Sequence, residues 1–319
     1  MTSPLLDRPG AVAADGIDVG VAAHYGDPYR EQVRLAAGEA VVDLSHRRVL
    51  EVRGPDRLTW LHDLTSQELR FLLPGVPTES LVLSPQGHVE HHLQLVDDGA
   101  AVRMHLEPGH DNPAGELQAW LERMRFMLRV QVTDVTSDWA VLGNCSQTGL
   151  GWDLLPRGEL AGVGEVAGVM AYEALRVAAR RPRLGLDTDH RTIPNETPWL
   201  TTAVHLAKGC YRGQETVARV ANLGRPPRAL SLLQLDGSDS ELPVVGADVL
   251  LDGRVVGRCG TAVRHHEDGP LALALLKRQV PLDAALTVTG PDGPIAAARD
   301  DEPVEEAPRT ARPELMRFR

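Results

Sequence analysis

"KGCYRGQE", residues 208–215, crowds functional side chains around two glycines. Lys208 and Arg212 flank Cys210, Tyr211 follows it, and Gln214 and Glu215 close the stretch. Gly209 and Gly213 allow sharp backbone turns. "GQETVARVAN", 213–222, reads as the start of a helix just downstream. Neighbouring cations and a helix start both raise the thiolate fraction of a cysteine. Cys210 is therefore a candidate reactive thiol. A structural cysteine buried in a tight loop is the alternative the residues leave open.

Upstream, "GVMAYEALRVAARRP", 168–182, is expected to be a helix closed by Pro182, and 183–200, rich in Pro, Asp and Thr, a loop. Downstream, past "GRPP" at 224–227, short alternating runs such as "RALSLLQLDG" and "ADVLLDGRVVGRCGTAV" carry Asp-Gly turn signals. Their spacing predicts a small β-barrel or sandwich over 226–299. Residues 300–319 mix acidic, proline and arginine residues and are expected to be a disordered tail. Residues 1–22 read as a flexible leader.

The stretch 23–225 mixes helices and paired strands. "DPYREQVRLAAG", 27–38, has Asp27 as N-cap, Pro28 at the first helical position and Gly38 as the stop. Pro55 is expected to open a second helix, with Leu58, Leu61, Leu64 and Leu69 on its apolar side. "NPAGELQAWLERMRFML", 112–128, reads as a third, capped by Asn112 and keeping helical spacing out to Met127 and Leu128. "ESLVLSPQGHVEHHLQLVDDGAAVRMHLE", 79–107, alternates as strands.

A net charge of -11 disfavours a dedicated nucleic-acid binder. Cys145, Cys210 and Cys259 are odd in number and far apart, which suits a reducing compartment rather than a disulfide framework. The opening residues lack the unbroken apolar run of a signal peptide, so a cytoplasmic protein is expected. No metal site is expected. On a strand, His88 and His92 would stand about 13 Å apart, too far to share one ion, and the bland reading is a solvated face. "GVGEVAG", 162–168, misses the dinucleotide fingerprint by one residue and reads as a flexible connection.

The 208–215 stretch resembles the K-G-C-Y-x-G-Q-E signature of the YgfZ family, folate-binding relatives of the glycine-cleavage T-protein. "VVDLSHRRVLEVRGPDRLTWLHDLTSQEL", 41–69, is similar to that family's strand–helix block, and "LGLDTDHRTIPNE", 184–196, to its pterin-facing segment. The resemblance implies an α+β fold: two interleaved subdomains and a C-terminal β-barrel, arranged as a ring. It implies tetrahydrofolate or a derivative in the central hole. Glu196, which matches the family's P-x-E, would take the pterin's donor pair. Arg219 or Lys208 would take the folate tail, and Tyr211 would stack on or cap a ring. It also implies a monomeric accessory protein that assembles or repairs iron–sulfur clusters, with iron–sulfur enzymes or carriers as partners, tRNA-modifying radical enzymes among them. In place of the aminomethyltransferases' paired aspartates stand His91 and His92, and Ala178 replaces a folate-contacting glutamate. A folate-dependent one-carbon transferase or demethylase, or a non-catalytic scaffold, are the alternative readings.

Overall fold

The computed structural model describes residues 2–109, 113–146, 149–224, 226–237 and 241–300. Its first two dozen residues, expected to be a flexible leader, pack onto the rest. A short turn of helix at Pro4–Asp7 is capped by the Ser3 side chain. Leu5 is buried with Leu142 and Leu160. β1 (Val12–Ala13) pairs with β2 (Ala22–His24). Asp18 is held by His46 and Arg183.

α1 (Pro28–Ala36) begins as its sequence predicts: the Asp27 side chain accepts from the Tyr29 and Arg30 N–H groups. Gly38 follows with φ 72°. β3 (Val41–Asp43) leads into β4 (Val49–Arg53), α2 (Arg57–Leu64), β5 (Thr78–Leu83), β6 (Val89–Asp97), β7 (Ala101–His105), α3 (Pro113–Met124) and β8 (Gln131–Asp134). β4 to β8 make an antiparallel sheet in the order β5-β6-β7-β4-β8. Trp60 and Leu61 of α2 and Leu117 and Leu121 of α3 pack on its Leu50, Val52, Leu93 and Met104.

Both helices are shorter than their apolar spacing suggests. α2 stops at Leu64, where the Thr65 hydroxyl takes the Leu61 carbonyl, and Leu69 reaches the same core from the loop beyond. α3 ends at Met124, leaving Phe126 and Met127 on the surface. The expected cap Asn112 lies outside the described residues.

β9 (Trp139–Ser146), β10 (Gly149–Pro156) and β11 (Val166–Ala167) return the chain to β3, giving a second sheet, β10-β9-β3-β11. The first sheet is thus inserted between β3 and β9, and the two units interleave. α1 and α4 (Val169–Ala178) cover the second sheet through Leu35, Ala171 and Tyr172. Gly168, the first residue of the helix expected over 168–182, is the N-cap of α4; a Cβ there would lie 2.1 Å from the Ala23 carbonyl oxygen. α5 (Trp199–Thr202) and α6 (Gln214–Leu223) bridge to the last unit. There β12 (Arg228–Leu235), β13 (Asp248–Leu251), β14 (Arg254–His265), β15 (Gly269–Lys277), β16 (Leu286–Thr289) and β17 (Pro294–Arg299) close into a six-stranded barrel. The expected α+β architecture with a C-terminal barrel is borne out. Among the described residues no helix is long and apolar enough to cross a membrane.

Candidate functional site

The 208–215 loop is fixed from two sides. The Lys208 side chain turns inward and its ammonium donates to the carbonyls of His62, Thr65 and Gln67. These lie at and just past the C-terminal end of α2, where carbonyls lack helical partners and a cation is favoured. Burial pulls the Lys208 pKa down to about 8, which leaves it protonated at neutral pH. The Tyr211 ring lies 5.1 Å from that ammonium, within an apolar cluster with Trp199 and Val217.

Gly213 has φ 82° and caps α6; a Cβ there would come 2.6 Å from the Ser84 carbonyl oxygen and 2.9 Å from the Gly87 Cα. This glycine is required by the close approach of two loops. Gly209 has no atom within 4 Å of a Cβ position, so its site is sterically open. Gln214 donates to the Lys208 carbonyl and ties the loop to α6. Glu215 is exposed on the first turn of that helix.

Cys210 is exposed. The two cations expected to activate it are engaged elsewhere. Lys208 is spent on α2, and Arg212 forms a two-bond pair with Glu90. Exposure, rather than neighbouring charge, therefore sets the contrast with the other thiols. Cys145 is half-buried, and burial pushes the Cys259 thiol up to about 12. Iodoacetamide at pH 7.5 should modify Cys210 first, Cys145 more slowly and Cys259 only on unfolding. Peptide mapping of a time course gives the order, and faster labelling of Cys259 than Cys210 would contradict it.

Glu196, Arg219, Lys208 and Tyr211 were expected to surround one ligand. The structure puts Lys208 against Tyr211, and neither lines the cleft described next. Glu196 is buried, its carboxylate held by the Arg228 guanidinium at 2.8 and 2.9 Å and by the Ile193 N–H. Arg219 is exposed on α6. Neither lines the cleft described next.

That cleft lies where the two interleaved units meet. An inner pocket of about 50 Å³ is walled by His92, Gln94, Glu107, Tyr172, Arg176, Arg183 and Trp199. At Glu79, Arg181 and Thr202 it adjoins an outer cleft of about 920 Å³. Gln67, Cys145, Leu150, Trp152, Asp153 and His205 line the outer part. The volume suits an organic ligand.

Glu79 stands where the two compartments join. One oxygen accepts from His92 at 3.3 Å and from the Thr202 hydroxyl at 2.8 Å; the other accepts from Arg181 at 3.1 Å. Burial opposes its ionisation, but these hydrogen bonds and charges outweigh it and hold the pKa near 2. Behind it, Arg183 ties together Asp18, Glu107 and Glu173, and Arg176 bonds Glu173 and Asp187. Burial also opposes the charge of Glu107, yet Arg183 and Arg47 bring it to about 2. The floor is a lattice of paired charges.

His92, with His88, was read as lying on a solvated strand face. His91 and His92, on opposite faces of β6, are both buried. His92 faces the cleft, with its ring 4.7 Å from that of Trp199. Burial alone lowers His91 to about 4. The fold therefore holds a neutral ring, while the unfolded chain takes a proton near pH 6.5. Stability should fall as pH drops from about 6.5 to 4, by on the order of 3 kcal/mol from His91. His105, wholly buried and lowered too, adds slope of the same sign. Urea titrations of His91→Gln against the parent should show a flatter pH dependence; an unchanged slope would contradict this.

Sequence reading missed Glu79, Arg181 and Trp199. Glu79 and Trp199 fall in runs read only as strand and loop, and Arg181 at a helix exit. Each reaches the site through tertiary packing, so local pattern gave no signal. Among the described residues no group of three or more His, Cys, Asp or Glu could hold a metal ion.

No protein-family model matches the chain. It is similar to proteins named "tRNA-modifying protein YgfZ" from Escherichia coli O45:K1 strain S88 and O139:H28 strain E24377A. In each case the identity is 34% over 122 residues, covering 37% of this chain and 37% of the relative. The chain thus spans about 37% of the length of the curated relatives it matches. Its fold matches the crystal structure of the glycine cleavage system aminomethyltransferase T from Bartonella henselae. The TM-score is 0.78 at 18% identity, over 95% of this chain and 96% of that one. The similarity to these relatives agrees with the resemblance read from residues 208–215, and the structural match shows the fold that it implies.

Proposed function

We propose that the protein binds a reduced folate in the cleft and acts as an accessory factor for iron–sulfur clusters, including those of tRNA-modifying enzymes. One observation carries the ligand part of the reading. A charged, pre-organised cleft of about 920 Å³ lies at the meeting of the two interleaved units of a T-protein-like fold. The tRNA connection comes from the printed name of the relatives. The iron–sulfur part rests on the resemblance and on an exposed Cys210 presented by a rigid loop. In this reading Cys210 is the thiol that meets a cluster or its carrier, and the protein works in the cytoplasm.

Aminomethyl transfer is disfavoured. The position of the aminomethyltransferases' paired aspartates is taken by His91, a buried ring held neutral, and His92, which is bonded to Glu79.

Anaerobic calorimetry with tetrahydrofolate should give micromolar binding, on the order of -8 kcal/mol. Absence of heat with any reduced folate would refute the ligand part. In cells, Cys210→Ala should lower the activity of oxidant-sensitive iron–sulfur enzymes while the protein stays folded. Full activity in that variant would leave the 208–215 loop a structural element.

A further inference from the structure

We infer that Glu79, not Glu196, is the carboxylate that receives the ring of the ligand in the cleft, with Thr202 as the group that yields to it. The inference rests on the folate reading above and concerns how that ligand is held.

The cleft-lining carboxylates differ in availability. Glu68 is bound twice by Arg70 and lies 3.0 Å from His62. Asp153 is exposed and bonded to Asn144. Glu107 is deep in the inner pocket between Arg47 and Arg183. Glu79 alone lines both compartments. A carboxylate offers about four lone-pair sites, and three are used here: two on Oε2 by His92 and Thr202, one on Oε1 by Arg181. The remaining site is on Oε1.

The three partners are not equally fixed. His92 is buried in an inner strand and packed on Trp199. The Thr202 hydroxyl rotates about one bond, and the Arg181 side chain, which also donates to the Leu150 carbonyl, is 35% exposed. A flat ring bearing two adjacent N–H donors, as a pterin has at N3 and its 2-amino group, would bond both oxygens in parallel. It would displace Thr202 from Oε2 and use the open site on Oε1, while His92 keeps the carboxylate oriented. Glu196 also keeps one site on Oε1, but its side chain is only 1% exposed and lines neither compartment, and its partners, a backbone N–H and a guanidinium also held by Asp189, are not free to yield. The site would then select rings with a donor pair over analogues lacking the 2-amino group.

The test measures affinity of the intact chain for tetrahydrofolate and for its 2-desamino analogue, by anaerobic calorimetry, in the parent, Glu79→Gln, Glu79→Asp and Glu196→Gln. Circular dichroism checks that each variant is folded. The parent should prefer tetrahydrofolate. Glu79→Gln should weaken tetrahydrofolate at least tenfold and the analogue less than threefold, while Glu196→Gln leaves both affinities unchanged. A structural defect would weaken both ligands equally. If Glu79→Gln does not fold, Glu79→Asp keeps the charge, withdraws it by one methylene, and should shrink the same preference. A parent that binds tetrahydrofolate with no such preference, a preference unaffected by Glu79 variants, or one lost in Glu196→Gln, overturns the assignment. A parent that binds no reduced folate refutes the folate reading itself.

Discussion

Replacing Lys208 with methionine should destabilise the protein by roughly 3–5 kcal/mol, a loss larger than that of any ligand contact proposed for this residue. The ammonium is buried and donates to three backbone carbonyls, those of His62, Thr65 and Gln67. Methionine matches the length of the side chain and none of its donors. Three buried acceptors then lose their partner, at about 1–3 kcal/mol each before relaxation. The favourable charge at the α2 terminus goes as well. Arg219→Ala, an exposed change on α6, should stay within about 0.5 kcal/mol. Urea unfolding followed by tryptophan fluorescence separates the two. A Lys208→Met protein as stable as its parent would mean the ammonium is free to serve a ligand after all.

Lys208 also shows how far sequence carries. The 208–215 stretch pointed to the fold through its resemblance to a family signature, and the glycine at 213 is a local requirement that a sequence can display. The same string suggested that Lys208 and Arg212 attend Cys210. Whether a long side chain turns toward its neighbour or into the core is decided by what lies across the gap. Here that is the end of α2, about 145 residues earlier in the chain. The first helix was readable to the residue because Asp27, Pro28 and Gly38 are local signals. The extent of α3 was not: apolar spacing continues to Leu128, but the chain leaves the helix at Met124. His92 looked solvated because alternation assigns faces without saying which are covered. Glu79 and Trp199 carried no signal, since they come together only when β5 meets α5.

The second large effect is expected at Asp187. Its side chain is wholly buried and accepts from Arg176 at 2.5 Å, from the Arg183 N–H at 2.8 Å and from the Thr261 N–H at 2.7 Å. Those partners belong to α4, to the loop after it and to β14 of the barrel, so one carboxylate joins the barrel to the rest. Asp187→Asn removes the charge opposite Arg176 and points an N–H₂ group at donors on one side. Breaking a buried pair in this way costs about 3–5 kcal/mol. Gly260 gives an independent check, because a Cβ there would lie 2.4 Å from Asp187 Oδ1. Gly260→Ala should therefore loosen the same junction without touching any charge. In both variants, thermal unfolding should separate into two steps as the barrel, with its own core around Leu233, Val249 and Leu276, uncouples from the interleaved units. The effect should reach the cleft. Arg176 and Arg183 wall the inner pocket, and Asp187 holds the first through its guanidinium and the second through its backbone. Folate affinity should fall in proportion to the loosening, equally for tetrahydrofolate and its 2-desamino analogue, which distinguishes a displaced floor from a lost ring contact. A single cooperative transition at the parent's temperature in both variants would show that the barrel is held by other contacts.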